Sequence, residues 1–366
     1  MISMEPVLRH GHTFWERALF PPDEFAERLG AVKEQMRRDN LDALIISSDA
    51  YHPSADLAWL AGWPMGGALL VTRDGEPAMF TSDNGRGLYF QRWLTWIDET
   101  SAAGGRMAPA LLEALKRRGI ASGAVGLVGE QSASAYATMR GILSDYQLRA
   151  FDAAMARLRM RKRPRELLAI GAALRIATDA AAAAQRAYNE GGSNASALVA
   201  AERAARLDRA RDFRGLANLS GMDLRPYEGP SSARQNSLLL WAAVDYHGYW
   251  ADVALTSPPS PGGRAQRALD AMVRAARPGA TGDDLAQAAL QMTPPESAEL
   301  ALSYGLGGGI GLSLEEAPFI RPKSTDVLAE DMVLSLRVLV RENEQTSFAG
   351  VLVEVGTDGA KRLDLR

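Results

Sequence analysis

Apolar residues recur at helical spacing soon after Pro21-Pro22-Asp23. Phe25, Leu29, Val32 and Met36 fall on one face, and the prolines and the acid belong to a helix start. The period then changes. Residues 41–46 form a near-continuous apolar run that reads as a buried strand. Residues 66–72 are a second strand, turned at Arg73-Asp74-Gly75 into a third at 77–80. Helical spacing returns over 107–118, and 123–128 is a further strand. This alternation predicts an α/β domain.

The charged run 157–165, with Pro164 inside it, reads as a boundary, giving domains 1–156 and 157–366. An Ala-rich helix follows from Glu166 to about Tyr188 and ends at Glu190-Gly191-Gly192. A second helix spans 194–206. From Phe213 the character shifts to strand-like runs with glycine turns, then helices at 263–277 and 283–292. An apolar, strand-rich stretch runs from Met332 onward. Helices followed by grouped strands predict an α+β second domain. A chain of 366 residues accommodates both.

Composition narrows the chemistry. A formal charge of −3 supplies no basic field for nucleic acid. No apolar stretch is expected to reach the ~18 residues of a membrane span, and residues 1–12 lack an apolar signal core. The expectation is a cytoplasmic protein without membrane or nucleic-acid partners. The absence of cysteine excludes disulfides, thiolate nucleophiles and iron–sulfur clusters. The four histidines are His10, His12, His52 and His247, so a His-rich metal site or His-based triad has little to draw on.

Four spaced segments carry a resemblance. Asp56-Leu57-Ala58-Trp59-Leu60-Ala61-Gly62-Trp63 resembles N-I-x-Y-L-T-G-F. Residues 248–256 (GYWADVALT) resemble G-Y-x-x-D-x-T-R-T. Residues 305–318 (GLGGGIGLSLEEAP) resemble G-x-G-H-G-I-G-L-x-x-H-E-A-P. Leu328 with residues 331–336 (DMVLSL) resembles L-x-x-G-M-V-F-S-L-E-P. In this order they resemble the creatinase/aminopeptidase P/prolidase superfamily. The resemblance implies an α/β N-terminal domain of the creatinase type, an α+β pita-bread C-terminal domain and a homodimer.

Active members of that family hold two metal ions with two Asp, one His and two Glu, a carboxylate-rich set suited to hard or borderline divalent ions. Carried over residue by residue, most of the set is missing. Trp241 stands where the first Asp belongs, eleven residues before Asp252, which matches the second. Gly308 takes the place of the His, Arg337 that of the first Glu and Val338 that of its proline. The last Glu is retained as Glu354 if residues 350–354 match G-V-x-x-E, or lost at Gly350 if the count runs back from Thr357-Asp358-Gly359. Arg337 would repel a divalent ion, so no metal and no cofactor are expected. Glu315 stands at the His of H-E-A-P, and Arg225-Pro226-Tyr227 lies where P-H-Y would fall, without its His. Asp245, near a hairpin tip with His247, is expected to be exposed.

The candidate proton-moving groups are Asp252, Glu315 and Glu354, with His52 supplied across a dimer interface. The candidate substrate contacts are Arg337, Trp241, Tyr304 and Trp63. Each has a plainer alternative. Asp252 can be an ion-pair partner of Arg337, Trp241 a core residue, Glu315-Glu316 a surface pair and His52 an exposed loop residue. Residues 305–311 read as a tight strand turn rather than a phosphate loop. The functional expectation is a metal-independent enzyme acting on a small, amino-acid-derived substrate by C–N hydrolysis or elimination. The alternative is an inactive relative that binds a ligand or a protein.

Overall fold

The computed structural model describes residues 15–49, 54–63, 66–82, 85–259, 263–342 and 345–363. The chain divides into two compact units between Arg159 and Met160.

The first unit opens with α1 (Pro22–Arg38), whose Phe25, Leu29, Val32 and Met36 are buried at the predicted spacing. The elements that follow are β1 (Ala43–Ser48), α2 (Ala55–Ala61), β2 (Gly67–Thr72), β3 (Ala78–Thr81), α3 (Arg86–Leu94), β4 (Glu99–Ala102), α4 (Met107–Arg117), β5 (Gly123–Val128), α5 (Ala133–Ile142), β6 (Tyr146–Ala150) and α6 (Asp152–Met160). The six strands form one sheet in the order β4-β3-β2-β1-β5-β6. Strand β2 is antiparallel to both neighbours, and the other pairings are parallel. Helices fill the crossovers, as parallel strands require. The segment around Trp59 is the short helix α2, capped by Ser54 and stopped by Gly62 in the left-handed region.

The second unit begins with α7 (Pro164–Asn189) and α8 (Asn194–Leu207), which pack on each other. By length and composition α7 could cross a membrane, contrary to the expectation that no apolar stretch reaches that length. Its small residues instead form a buried stripe (Ala169, Ala173, Ala177, Ala180, Ala184) that lies in this unit's core. The strands β7 (Asp212–Ala217), β8 (Leu238–Tyr246) and β9 (Tyr249–Ser257) form an antiparallel sheet against α7. Then come α9 (Arg264–Ala275), α10 (Gly282–Met292), α11 (Pro295–Tyr304), β10 (Gly307–Gly309), β11 (Glu316–Phe319), β12 (Val333–Glu342), β13 (Gln345–Gly356) and β14 (Gly359–Arg362). These five strands make a second antiparallel sheet, ordered β11-β10-β12-β13-β14.

Strand periodicity sorts the side chains of this unit. Leu334, Leu336, Val338 and Val340 of β12 and Val353 and Val355 of β13 pack with α9 and α10. Leu238, Leu240, Ala242 and Val244 of β8 pack with α7 and α8. The alternate residues, among them Leu239, Ala254, Leu339 and Phe348, meet in a separate small cluster. The two sheets are tied there by Thr256, whose hydroxyl donates to Phe348 O at 3.0 Å and accepts from Phe348 N at 2.7 Å. The candidate site lies on these inner faces.

Candidate functional site in the C-terminal unit

The hairpin β8–β9 turns through His247 (φ 50°) and Gly248 (φ 91°), two consecutive left-handed residues of the kind a two-residue hairpin loop demands. Asp245 anchors that turn. It is fully buried, accepts from Gly248 N at 2.6 Å and is ion-paired with buried Arg211. The expectation of an exposed Asp245 is therefore wrong. A carboxylate beside a hairpin tip is buried when a neighbouring element supplies a cation and the turn supplies an N–H. His247 is likewise half-buried, its ring edge-on to Tyr246 at 4.6 Å.

The turn sets a register in which Ala243 faces Asp252 and Trp241 faces Ala254. Trp241 and Asp252 are thus diagonal neighbours on one face, within reach of a long side chain. Trp241 Nε1 donates to Asp252 Oδ2 at 2.7 Å. In the other sheet Arg337 pairs with Gly350, and its side chain shares the inner face with Ser335, two residues back. Arg337 Nη1 lies 3.4 Å from Asp252 Oδ2 and 3.5 Å from Ser335 Oγ, and Nη2 donates to Glu315 Oε1. The guanidinium carbon sits 5.9 Å from the ring centres of both Trp241 and Tyr304. Tyr304 in turn meets Phe348 edge-on at 5.0 Å. Sequence reading missed Ser335, although its spacing from Arg337 was a usable signal. Phe348 carried no local signal.

Burial grades the cluster. Asp252 is 3 % and Arg337 5 % exposed, whereas the Glu315 side chain is 61 % exposed. Burial works against the charge of Arg337, but Asp252, Tyr304 and Glu315 outweigh it, so the guanidinium holds its proton more firmly than usual. Burial, with Asp252 and Glu315 beside it, pushes the Tyr304 phenol above its ordinary value, with Arg337 pulling the other way. Tyr304 is therefore a neutral hydrogen-bonding group at neutral pH. Among the described residues, Asp252 Oδ1 and Arg337 Nε are buried without a hydrogen-bond partner.

The remaining sequence candidates lie elsewhere. Glu354 shares the face of Gly350 but pairs with Val333, four residues or about 13 Å along β13. Of the two alignments left open, the one that loses the last Glu at Gly350 is the one whose residue faces Arg337. Glu315 and Glu316 do not act as a pair, because Glu316 is buried and bonded to Lys162. Trp63 is buried in the first unit, with an indole N–H that none of the described residues accepts. His52 lies outside the described residues, and Arg225, Pro226 and Tyr227 are exposed.

The residues present do not fit a pair of divalent ions. Among the described residues no three His, Asp or Glu side chains converge as metal ligands would. The glycines at two of the expected ligand positions leave little room for a side chain. A Cβ at Gly308 would stand 2.9 Å from Pro318 O, and one at Gly350 would stand 2.8 Å from Ala254 Cβ and 3.4 Å from Arg337 Cβ. One rung further along the inner face of β8–β9, a cavity of about 310 Å³ is lined by Asn218, Met222, Ser237, Leu239 and Thr256, among others.

Two antiparallel sheets with helices on their outer faces and a polar cluster on their inner faces define a pita-bread domain, preceded here by an α/β unit. Residues 148–356 match the model of metallopeptidase family M24, and residues 28–161 that of the creatinase/prolidase N-terminal domain. The chain belongs to family M24. Its fold is similar to that of the prolidase from Pyrococcus horikoshii OT3 (TM-score 0.76, 18 % identity, 93 % of this chain and 98 % of that one). It is also similar to dipeptidase PepE from Mycobacterium ulcerans (0.71, 22 %, 95 % and 97 %). The N-terminal domain of the FACT complex subunit SPT16 from chickpea shares the fold as well (0.68, 15 %, 94 % and 97 %). No curated protein matches the chain.

Proposed function

We propose that this chain is a metal-independent member of its family whose C-terminal cleft takes a small, amino-acid-derived molecule. The observation that carries the reading is Arg337. A buried, permanently charged guanidinium stands where the resemblance puts a metal-binding Glu, and it is paired with Asp252, a carboxylate at a ligand position. A fixed cation at that place can orient a carboxylate or stabilise developing negative charge. Asp252 is the proton acceptor in this reading, because its Oδ1 is buried and has no donor of its own. Tyr304 and Trp241 supply a neutral hydroxyl and an aromatic wall. The proposed chemistry is C–N hydrolysis or elimination, with Arg337 as the anchor and no step through a metal.

A second reading, a binding module without turnover, has one specific support: a pita-bread chain in a complex subunit from chickpea shares this fold. Elemental analysis of the untagged full chain tests the metal-independent part. About two bound equivalents of Mn, Co or Zn would overturn it. Turnover of N-substituted amino acids, screened by mass spectrometry on chelator-treated protein, separates the two readings. An enzyme loses that turnover in Asp252→Asn. A binding module shows none in either protein and retains affinity for its ligand.

A further inference from the structure

Arg337 carries two carboxylates, and they differ in kind. Asp252 is built in: it lies in the middle of β9, is almost fully buried and is held by Trp241 as well as Arg337. Glu315 is not. It ends the irregular stretch 311–315, its side chain is 61 % exposed, and Arg337 Nη2 is the partner its carboxylate has on this face. The Arg337–Asp252 pair is neutral without it. Glu315 adds a second negative charge at the solvent end of a guanidinium that is otherwise sealed. An exposed carboxylate can turn into water at small cost, whereas Asp252 cannot.

We infer that Glu315 is an internal stand-in for the carboxylate of the ligand: it occupies the outward N–H of Arg337 and must leave when a small carboxylate binds. This rests on the reading of the cleft as a site for a carboxylate-bearing molecule. It assigns Glu315 a part in specificity and takes it out of the proton-transfer set. An anion without the right second contacts does not displace the resident Glu315, so the cleft discriminates by competition. Apparent affinity is the intrinsic affinity divided by the fraction of molecules with Glu315 swung away.

The experiment titrates acetate, glycine and L-proline into the full chain and into Glu315→Ala and Glu315→Gln, by calorimetry and by the shift of the indole N–H resonances. If Glu315 is turned out in about one molecule in ten, both variants bind at least one of these probes about tenfold more tightly than the unaltered protein. Arg337→Met in the Glu315→Ala background abolishes the gain. Unaltered protein that binds a probe with the same or greater affinity than both variants overturns this inference and leaves the proposed carboxylate site standing. No binding to any of the three proteins overturns both. Melting curves of the two Glu315 single variants within a few degrees of the original secure the comparison, since Glu315 is exposed, and the Arg337→Met control is titrated well below its own lower melting temperature.

Discussion

Replacing Arg337 with Met keeps most of the side chain's length and removes its charge. Asp252 then stays in the interior with Trp241 Nε1 on Oδ2 and no partner among the described residues on Oδ1. Both members of the pair are nearly sealed, at 5 % and 3 % exposure, so solvent does not replace the lost partner. Breaking a buried pair from one side costs about 3–5 kcal/mol. Glu315 contributes little to the loss because it reaches water. For a unit of this size that corresponds to a fall in melting temperature of roughly 10 °C. The double variant Arg337→Met/Asp252→Asn removes the stranded charge and recovers at least about half of the loss. Thermal and urea unfolding of the two single variants and the double, arranged as a cycle, give the coupling. A cost below about 1 kcal/mol for Arg337→Met would refute the argument, since it would mean that Asp252 is hydrated or protonated without its cation. So would a double variant no more stable than the single.

Two further outcomes follow from the same geometry. Because burial raises the Tyr304 phenol, the folded chain prefers it protonated. Its contribution is complete below the ordinary tyrosine value and is lost as pH rises through the folded one. The unaltered protein should therefore lose stability relative to Tyr304→Phe in unfolding curves taken above about pH 10, and a constant difference across that range would count against it. Gly308→Ala introduces a Cβ against Pro318 O and should cost about 1–3 kcal/mol in urea unfolding. A neutral effect would mean that the strand turn has room for a ligand side chain after all.

The apolar patterns that marked 107–118, 123–128 and 283–292 return as α4, β5 and α10, because each buries a face whose period is local. Helices α3, α5 and α11 were not legible in this way. Of them, α5 buries a single residue, Met139, and α11 buries Ser297 and Ala301, so neither shows a strong apolar stripe. The site was legible in part. Motif spacing located Asp252, Arg337, Trp241, Tyr304 and Glu315, and the structure gathers all five into contact or near contact. It could not settle Glu354 against Gly350, because that choice depends on which residue of β13 faces Arg337 across a hairpin. Nor could it see that Glu316 turns to Lys162 while Glu315 turns to Arg337.

By itself the sequence determined the two-part architecture and the scarcity of histidine and cysteine, which limits what a metal centre could draw on. Both follow from which side-chain types are present and at what local period, and both survive any detail of packing. Tertiary structure alone decided which polar side chains meet on the inner faces of the two sheets. An arginine and an aspartate 85 positions apart form a pair only when two sheets close on each other, and burial then turns an ordinary ion pair into a sealed one. The lack of room at Gly308 and Gly350 and the contrast between fixed Asp252 and exposed Glu315 are likewise products of distance and solvent access. These quantities belong to neighbours far apart in the chain, so no local pattern encodes them.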